Sequence, residues 1–362
     1  MAQNTFERHP RLTLAVLACV FVAGTDLAFT AAWQRLQKLP DLGLRVRDPV
    51  VHHALKPLTS GRERWGLWDA VYHTNSLGLR DRAPRPLPLH ADKPRLLFIG
   101  DSFTEGIGID WEQTFVGRVA AALEPQGTEV LNAGTASYCP AIYDRRVRQL
   151  LDAGLRVDHV VVYVDVGDLL DEVVYKHDEQ GNVVGRETRR IQEERANRAY
   201  EGSIHALWPL QRFLERHTIA AAAAYGLLLR ARGHGYRRGA AWTLDEEVYA
   251  SYAPEALEKA STNMGRLHDA LRARGIPLTV AVYPWPDHLL AGDRQSRHAA
   301  FWRDWCTRRG AAFLDHFPRF FDLGEPRAVV KRYFIPGDIH WNAEGHEVIA
   351  AGFLEHWRAS AR

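Results

Sequence analysis

Cysteine is scarce in this 362-residue chain, which holds only Cys19, Cys139 and Cys306. An odd, sparse set excludes a disulfide framework, and nothing in the spacing supports a Cys139–Cys306 bridge. An excess of one charge is also lacking: 46 basic side chains meet 44 acidic ones, for a formal net charge of +2. With no basic stripe interleaved with aromatics, that balance argues against a nucleic-acid partner. Several chemical signatures are missing as well. There is no Gly-x-Ser-x-Gly, which argues against a nucleophile elbow. Nor is there a phosphate-cradling Gly-x-x-x-x-Gly-Lys, a dinucleotide Gly-x-Gly-x-x-Gly or a zinc-binding His-Glu-x-x-His. No internal repeat or low-complexity tract is visible, and the sequence implies neither cofactor nor metal.

What is present is an ordinary globular composition, 46% hydrophobic and 25% charged. The length permits one large domain or two modest ones with a substantial core. Eleven Trp and twelve Tyr are many for this length. Exposed aromatics stack on sugars, but most aromatics belong to cores. The N-terminus carries an address: Leu12 to Trp33 is mostly apolar and follows Arg8 and Arg11. As a helix it would reach roughly 33 Å, enough for a bilayer core. Asp26 is its one charged residue. We read residues 1–33 as an uncleaved membrane anchor placing the rest on the extracytoplasmic, periplasmic side; a cleaved signal peptide is the alternative. Arg35, Lys38, Arg45 and Arg47 beyond the segment outnumber Arg8 and Arg11, so the charge rule does not fix orientation.

Residues 34–94 form a polar, Pro- and Arg-rich lead-in that reads as a connector. Strands and helices then alternate through residues 95–362. Short apolar runs predict strands at Arg95–Ile99, Glu129–Leu131, His159–Val164, Leu278–Tyr283 and Ala311–Leu314. Helical spacing covers Thr114–Leu123, Tyr143–Ala153, Glu255–Arg274, Arg297–Arg309 and Ala343–Trp357, the last capped by Asn342. This predicts an α/β fold: a three-layer, flavodoxin-like, mostly parallel sheet of about five strands. Ligands on such sheets bind beyond the carboxyl ends of the strands. Gly100–Ser102, Asn132–Gly134, Asp165–Asp168 and Pro284–His288 all follow strands and should meet there.

An insert at about 171–253 breaks the alternation. It holds a predicted hairpin around Gly181-Asn182 and an arginine-rich stretch, Arg186–Arg198. Its apolar run Ile219–Leu229 lies between Arg216-His217 and Arg230, too short to cross a membrane. A buried helix is the plain reading and a membrane-surface helix the sharper one.

The chemistry concentrates in two places. Gly100-Asp101-Ser102-Phe103-Thr104-Glu105-Gly106 puts a serine on the turn after a buried strand. Gly337-Asp338-Ile339-His340-Trp341-Asn342 puts an Asp-x-His pair just before the closing helix. A serine hydroxyl is a weak nucleophile unless a base takes its proton and an acid orients that base. Ser102, His340 and Asp338 supply those three parts, and backbone N–H groups at Ser102 and Gly134 could face a developing oxyanion. Asp101, Asp168, Asp338, His340 and His346 would be hard metal ligands in another setting, but His346 fits better in the first turn of the closing helix.

These residues resemble the SGNH (GDSL-type) hydrolase superfamily over roughly 95–355. Gly100–Gly106 looks like its first block, Asn132-Ala133-Gly134 like its second and Asp338–His346 like its last. The lead-in Thr74-Asn75-Ser76-Leu77-Gly78-Leu79-Arg80-Asp81-Arg82 looks like that of membrane-anchored bacterial members. The resemblance implies Ser102 as nucleophile, His340 as base, Asp338 as its acid, and the Ser102 and Gly134 amides as oxyanion donors. Asp101, Asn132, Gly167 and Asp168 are accessory candidates. Two departures stand out. Asp165-Val166-Gly167-Asp168 corresponds to a block normally reading Gly-x-Asn-Asp, so Gly167 replaces an oxyanion asparagine and leaves Asp168 beside it. The acid lies two residues before the histidine instead of three, as in periplasmic alginate O-acetyltransferase-like proteins. The expected activity is a serine esterase or deacylase removing O-acyl groups from an extracytoplasmic glycan or lipid. The alternatives are an O-acyltransferase fed by a membrane acyl-donor protein, and a catalytically impaired glycan binder.

Overall fold

The computed structural model describes residues 9–37, 43–65, 68–186, 217–221, 224 and 238–360. The chain divides into two compact units, Met1–Asp41 with Glu201–Tyr236, and Leu42–Tyr200 with Arg237–Arg362. In the first unit a helix runs from Pro10 to Gln37, and its Pro10–Ala32 stretch is long and apolar enough to cross a membrane. Leu12, Leu14, Leu17 and Phe21 all stand exposed on it. Length and composition of this kind suit a membrane anchor or a signal sequence. Most of the apolar run Ile219–Leu229 and of the stretch Arg186–Arg198 lies outside the described residues.

The second unit is built on an eight-stranded sheet. Its strands are β3 (Ser60–Trp65), β4 (Trp68–Thr74), β5 (Arg80–Asp81), β6 (Arg95–Ile99), β7 (Glu129–Asn132), β8 (His159–Tyr163), β11 (Leu278–Val282) and β12 (Ala312–Asp315). The order is β12-β11-β8-β6-β7-β5-β4-β3. Strands β12, β11, β8, β6 and β7 pair in parallel. Every residue of β6 and of β11 is buried, as expected of strands covered on both faces. Helix Phe115–Leu123 packs on Ala343–Ser360, while Pro140–Asp152 and Asp168–Val174 pack on Glu246–Arg272. These helices are the outer layers. The chain order of the parallel strands reverses between β6 and β8, the crevice where doubly wound folds place ligands. Ser102 follows β6 directly.

The five expected strands are present, but the sheet is larger than read. The lead-in adds β5, β4 and β3 antiparallel at the β7 edge, so it does more than connect. Its signal is an alternation in β4, where Ala70, Tyr72 and Thr74 are buried while Asp69 and Val71 face out. Charged residues in β3 (Ser-Gly-Arg-Glu-Arg-Trp) hid its partner. Two smaller hairpins join β1 (Arg45–Asp48) to β2 (His52–Leu55), and β9 (Tyr175–His177) to β10 (Val183–Arg186). The second turns around Gly181-Asn182 as expected. The helix expected from Glu255 instead starts at Glu246 and carries Pro254 inside. Asp245 caps it, accepting the N–H groups of Glu247 and Val248, and buried Val248, Tyr252 and Ala253 hold the extra turns. Cys139 and Cys306 are buried free thiols.

Candidate active site

Gly100 follows β6, and only a glycine fits there: a Cβ would lie 2.2 Å from Thr104 Oγ1 and 2.9 Å from the Tyr163 carbonyl oxygen. The chain then folds into one helical turn, Ser102–Glu105. Asp101 caps it, its Oδ1 accepting the Phe103 N–H at 2.9 Å. At the other end the buried Arg80 guanidinium, from β5, donates to the carbonyls of Glu105, Gly106 and Ile109. Glu105, on the same turn, is fully buried. It receives Arg45 of β1 at 2.6 Å and the Ala136 N–H at 2.6 Å. The nucleophile turn is thus held from below by residues of the lead-in.

His340 closes the loop that starts at Ile335, whose N–H donates to the His340 carbonyl at 2.9 Å. Its Nε2 lies 2.8 Å from Ser102 Oγ and its Nδ1 lies 2.5 Å from Asp338 Oδ1. A carboxylate can only accept, so Nδ1 carries the proton and Nε2 is the acceptor facing the Ser102 hydroxyl. Asp338 Oδ1 also takes the N–H groups of Ile339 (2.6 Å) and His340 (3.0 Å). Burial alone would raise the Asp338 pKa; the hydrogen bond and charge of His340 outweigh it and hold the group well below the usual carboxylate range. The chain Ser102–His340–Asp338 can therefore draw a proton from the serine hydroxyl and stabilise the resulting imidazolium.

Trp65, the last residue of β3, donates its indole N–H to Asp338 Oδ2 at 2.9 Å. Its ring also stands edge-on to His340, with centroids 5.2 Å apart. The sequence reading missed this partner because the lead-in looked like a connector. Trp65→Phe keeps an aromatic ring, though a smaller one, and loses the donor to a charged acceptor, an interaction worth about 1.5–3 kcal/mol. We expect kcat to fall about tenfold with KM unchanged, since each 1.36 kcal/mol on the barrier is tenfold in rate. Steady-state kinetics on a p-nitrophenyl ester would check this, and an unchanged kcat would refute it.

The oxyanion side differs from expectation. Gly134 N–H donates to Asn132 Oδ1 at 2.9 Å, so this amide is already engaged within its own loop. Asn132 Nδ2 in turn donates to the Thr104 carbonyl at 2.8 Å and ties the loop to the nucleophile turn. Gly134 is required for a different reason: a Cβ there would sit 2.6 Å from Glu105 N and 2.7 Å from Thr104 C. Ser102 N–H has no partner among the described residues and stands at the start of the turn, free for a developing oxyanion. Further along the same loop Ser137 adopts φ +62°, rare for a residue with a side chain, and its carbonyl accepts the Tyr175 hydroxyl at 2.7 Å.

At Gly167 the space for a side chain is filled. A Cβ would meet Asp165 Oδ1 at 2.8 Å and the Trp285 ring at 3.1 Å. Gly239 leaves room on the other side, where a Cβ would lie 2.4 Å from the same ring. The Trp285 indole thus sits against both glycines and donates to Asp165 Oδ2 at 2.6 Å. Asp101, Asp165 and Asp168, all buried, bring one carboxylate oxygen each within 4.8 Å of one another. Burial pushes the Asp165 pKa up to about 6 against the hydrogen bonds from Trp285 and Gly167 N–H. Burial, then the charge of Asp165, drives Asp101 well above the ordinary value. Burial and the other two carboxylates do the same to Asp168, despite the Tyr143 hydroxyl donating to it at 2.8 Å. Asp101 Oδ2 lies 3.3 Å from Ser102 Oγ, and Tyr283 OH donates to Asp101 Oδ1 at 3.3 Å. The four loops expected at this sheet edge do converge. His346 lies in the closing helix, accepting the Phe115 N–H at 3.1 Å.

The model of the GDSL-like lipase/acylhydrolase family matches residues 98–348, and the chain belongs to that family. It is a serine ester hydrolase by class. A search of curated proteins returns no match. Among solved structures, the chain is similar to an α/β-hydrolase enzyme from the metagenome of Lake Arreo, Spain. That pair shares 16% identity over 74% of this chain and 96% of that one, at a TM-score of 0.39. It is also similar to a catalytic mutant of an acetylxylan esterase from Geobacillus stearothermophilus. There the identity is 12%, over 73% and 94% of the two chains, at a TM-score of 0.40.

Proposed function

We propose that the chain removes small O-acyl groups from a glycan or lipid outside the cytoplasm, held to the membrane by its N-terminal helix. The observation that carries the chemistry is the Ser102 Oγ–His340 Nε2 approach of 2.8 Å with Asp338 behind His340. Ser102 Oγ attacks the ester carbonyl while His340 Nε2 takes its proton; the tetrahedral oxyanion forms beside Ser102 N–H. Collapse expels the glycan or lipid hydroxyl, which recovers the proton from His340. Water then attacks the acyl-serine with His340 as base, releasing the acid and restoring the serine.

Transfer of the acyl group to a sugar hydroxyl, supplied by a membrane acyl donor, is the second reading. It is favoured by Trp285 standing where an oxyanion asparagine is expected. One oxyanion donor is worth about 2.7–4 kcal/mol, so its lack slows acyl transfer to any acceptor unless binding of that acceptor compensates. The full chain acting on p-nitrophenyl acetate, with and without oligosaccharide acceptors, separates the two. We expect acetate to appear as free acid at undiminished yield. Acetylated sugar accumulating at the expense of acetate would replace hydrolysis with transfer.

A further inference from the structure

Asp26 is the charge that disturbs the N-terminal helix, and the structure gives it partners. Its Oδ1 accepts the N–H groups of Ile219 (3.0 Å) and Ala220 (3.1 Å), and its Oδ2 that of Ala221 (3.1 Å). These are first-turn amides that no helix satisfies internally, so cap and carboxylate answer each other's need. Thr30, one turn beyond Asp26, and Thr218 are buried, while Ile219 and the helix residues Leu17 and Phe21 are exposed. The helix is therefore covered near Thr30, while Leu17 and Phe21 present bare apolar surface.

We propose that the turn at Ile219–Ala221 enters the bilayer beside the N-terminal helix, with Asp26 as the cap that holds it there. This rests on the reading of that helix as a membrane anchor. Asp26 lies about 9 Å short of Ala32 along the helix, at 1.5 Å per residue. If Pro10–Ala32 lies in hydrocarbon, the amides on Asp26 lie there too. A carboxylate at that depth is expensive unless paired, and unpaired amides are equally so. The sequence continues from Ile219 as an apolar run to Leu229, bracketed by His217 and Arg230. The run is too short to cross. The fitting partner is a lipid bilayer, met by the turn that Asp26 caps.

The test uses the full chain in phosphatidylcholine–phosphatidylglycerol vesicles and a membrane-impermeant maleimide. Cys19 is exposed on the helix and serves as an internal reference, while Cys139 and Cys306 are buried. Ile219 is 41% exposed, so any protection of Ile219→Cys comes from lipid and not from protein. We expect Ile219→Cys to react roughly tenfold more slowly than surface Ala291→Cys, because thiolate does not form in hydrocarbon. Adding Asp26→Leu should restore its labelling while Cys19 stays protected. Fast labelling of Ile219→Cys with Cys19 protected overturns the proposal and leaves the anchor intact. Continued protection after Asp26→Leu removes Asp26 as the holding group and overturns the proposal in that respect. Fast labelling of Cys19 itself overturns the anchor reading, and the proposal with it.

Discussion

Ser102→Ala should abolish covalent labelling by a fluorophosphonate probe and lower p-nitrophenyl acetate hydrolysis by about 10³–10⁶-fold, the range for removing a serine nucleophile. The fold should survive, because among the described residues the hydroxyl bonds only to His340 and Asp101. Circular dichroism of the variant would confirm it. His340→Ala should produce a loss of similar size, and the double variant should lose little more, because the residues act as one unit. Mass spectrometry of the labelled peptide decides the matter. A label that persists on Ser102→Ala moves the nucleophile elsewhere. A wild-type chain that never labels leaves the site as a glycan-binding cleft.

Glu105→Leu should destabilise the catalytic unit by about 3–5 kcal/mol, the range for breaking a buried ion pair from one side. The substitution leaves the Ala136 N–H without an acceptor and Arg45 without its buried partner, although Glu63 still pairs with it. Urea denaturation would report this as a lower midpoint at unchanged slope. Lys259→Ala breaks an exposed pair with Glu255 and should change stability by about 1 kcal/mol or less. Equal effects at the two positions would mean the Glu105 carboxylate is not a buried anchor. Activity should also fall in Glu105→Leu, because the loop after β7 and the nucleophile turn share that carboxylate.

The parallel core was legible because its strands are short apolar runs closed by Gly, Asp or Pro, and burial on both faces leaves no other pattern. The Ser102, Asp338 and His340 positions were legible because each sits where such a run or a capped helix fixes the backbone. Gly134 and Gly167 were less so. A glycine signals that a side chain is excluded, but not what excludes it: at 134 the Thr104–Glu105 backbone, at 167 the Trp285 ring. Trp65, Asp165 and Trp285 escaped because their roles depend on contacts between distant segments. Trp65 and Asp338 are joined by one hydrogen bond across much of the chain, and no local periodicity encodes it. The lead-in strands were hidden by polar residues that an antiparallel sheet edge tolerates and a parallel interior does not.

The placement of β5 against β7 has a consequence for how the molecule is made. Arg80 pairs with Asn132, so the earlier segment finds its neighbour only after β6 and β7 have been synthesised. Residues 43–81 therefore leave the ribosome before their partner strand and must wait for it. Until they dock, the β7 edge is bare and open to strand addition from another chain. The Arg80 guanidinium arrives with that same strand. Assembly of the nucleophile turn is thus tied to the docking of that strand, and a chain in which it has not docked lacks the clasp beneath Ser102.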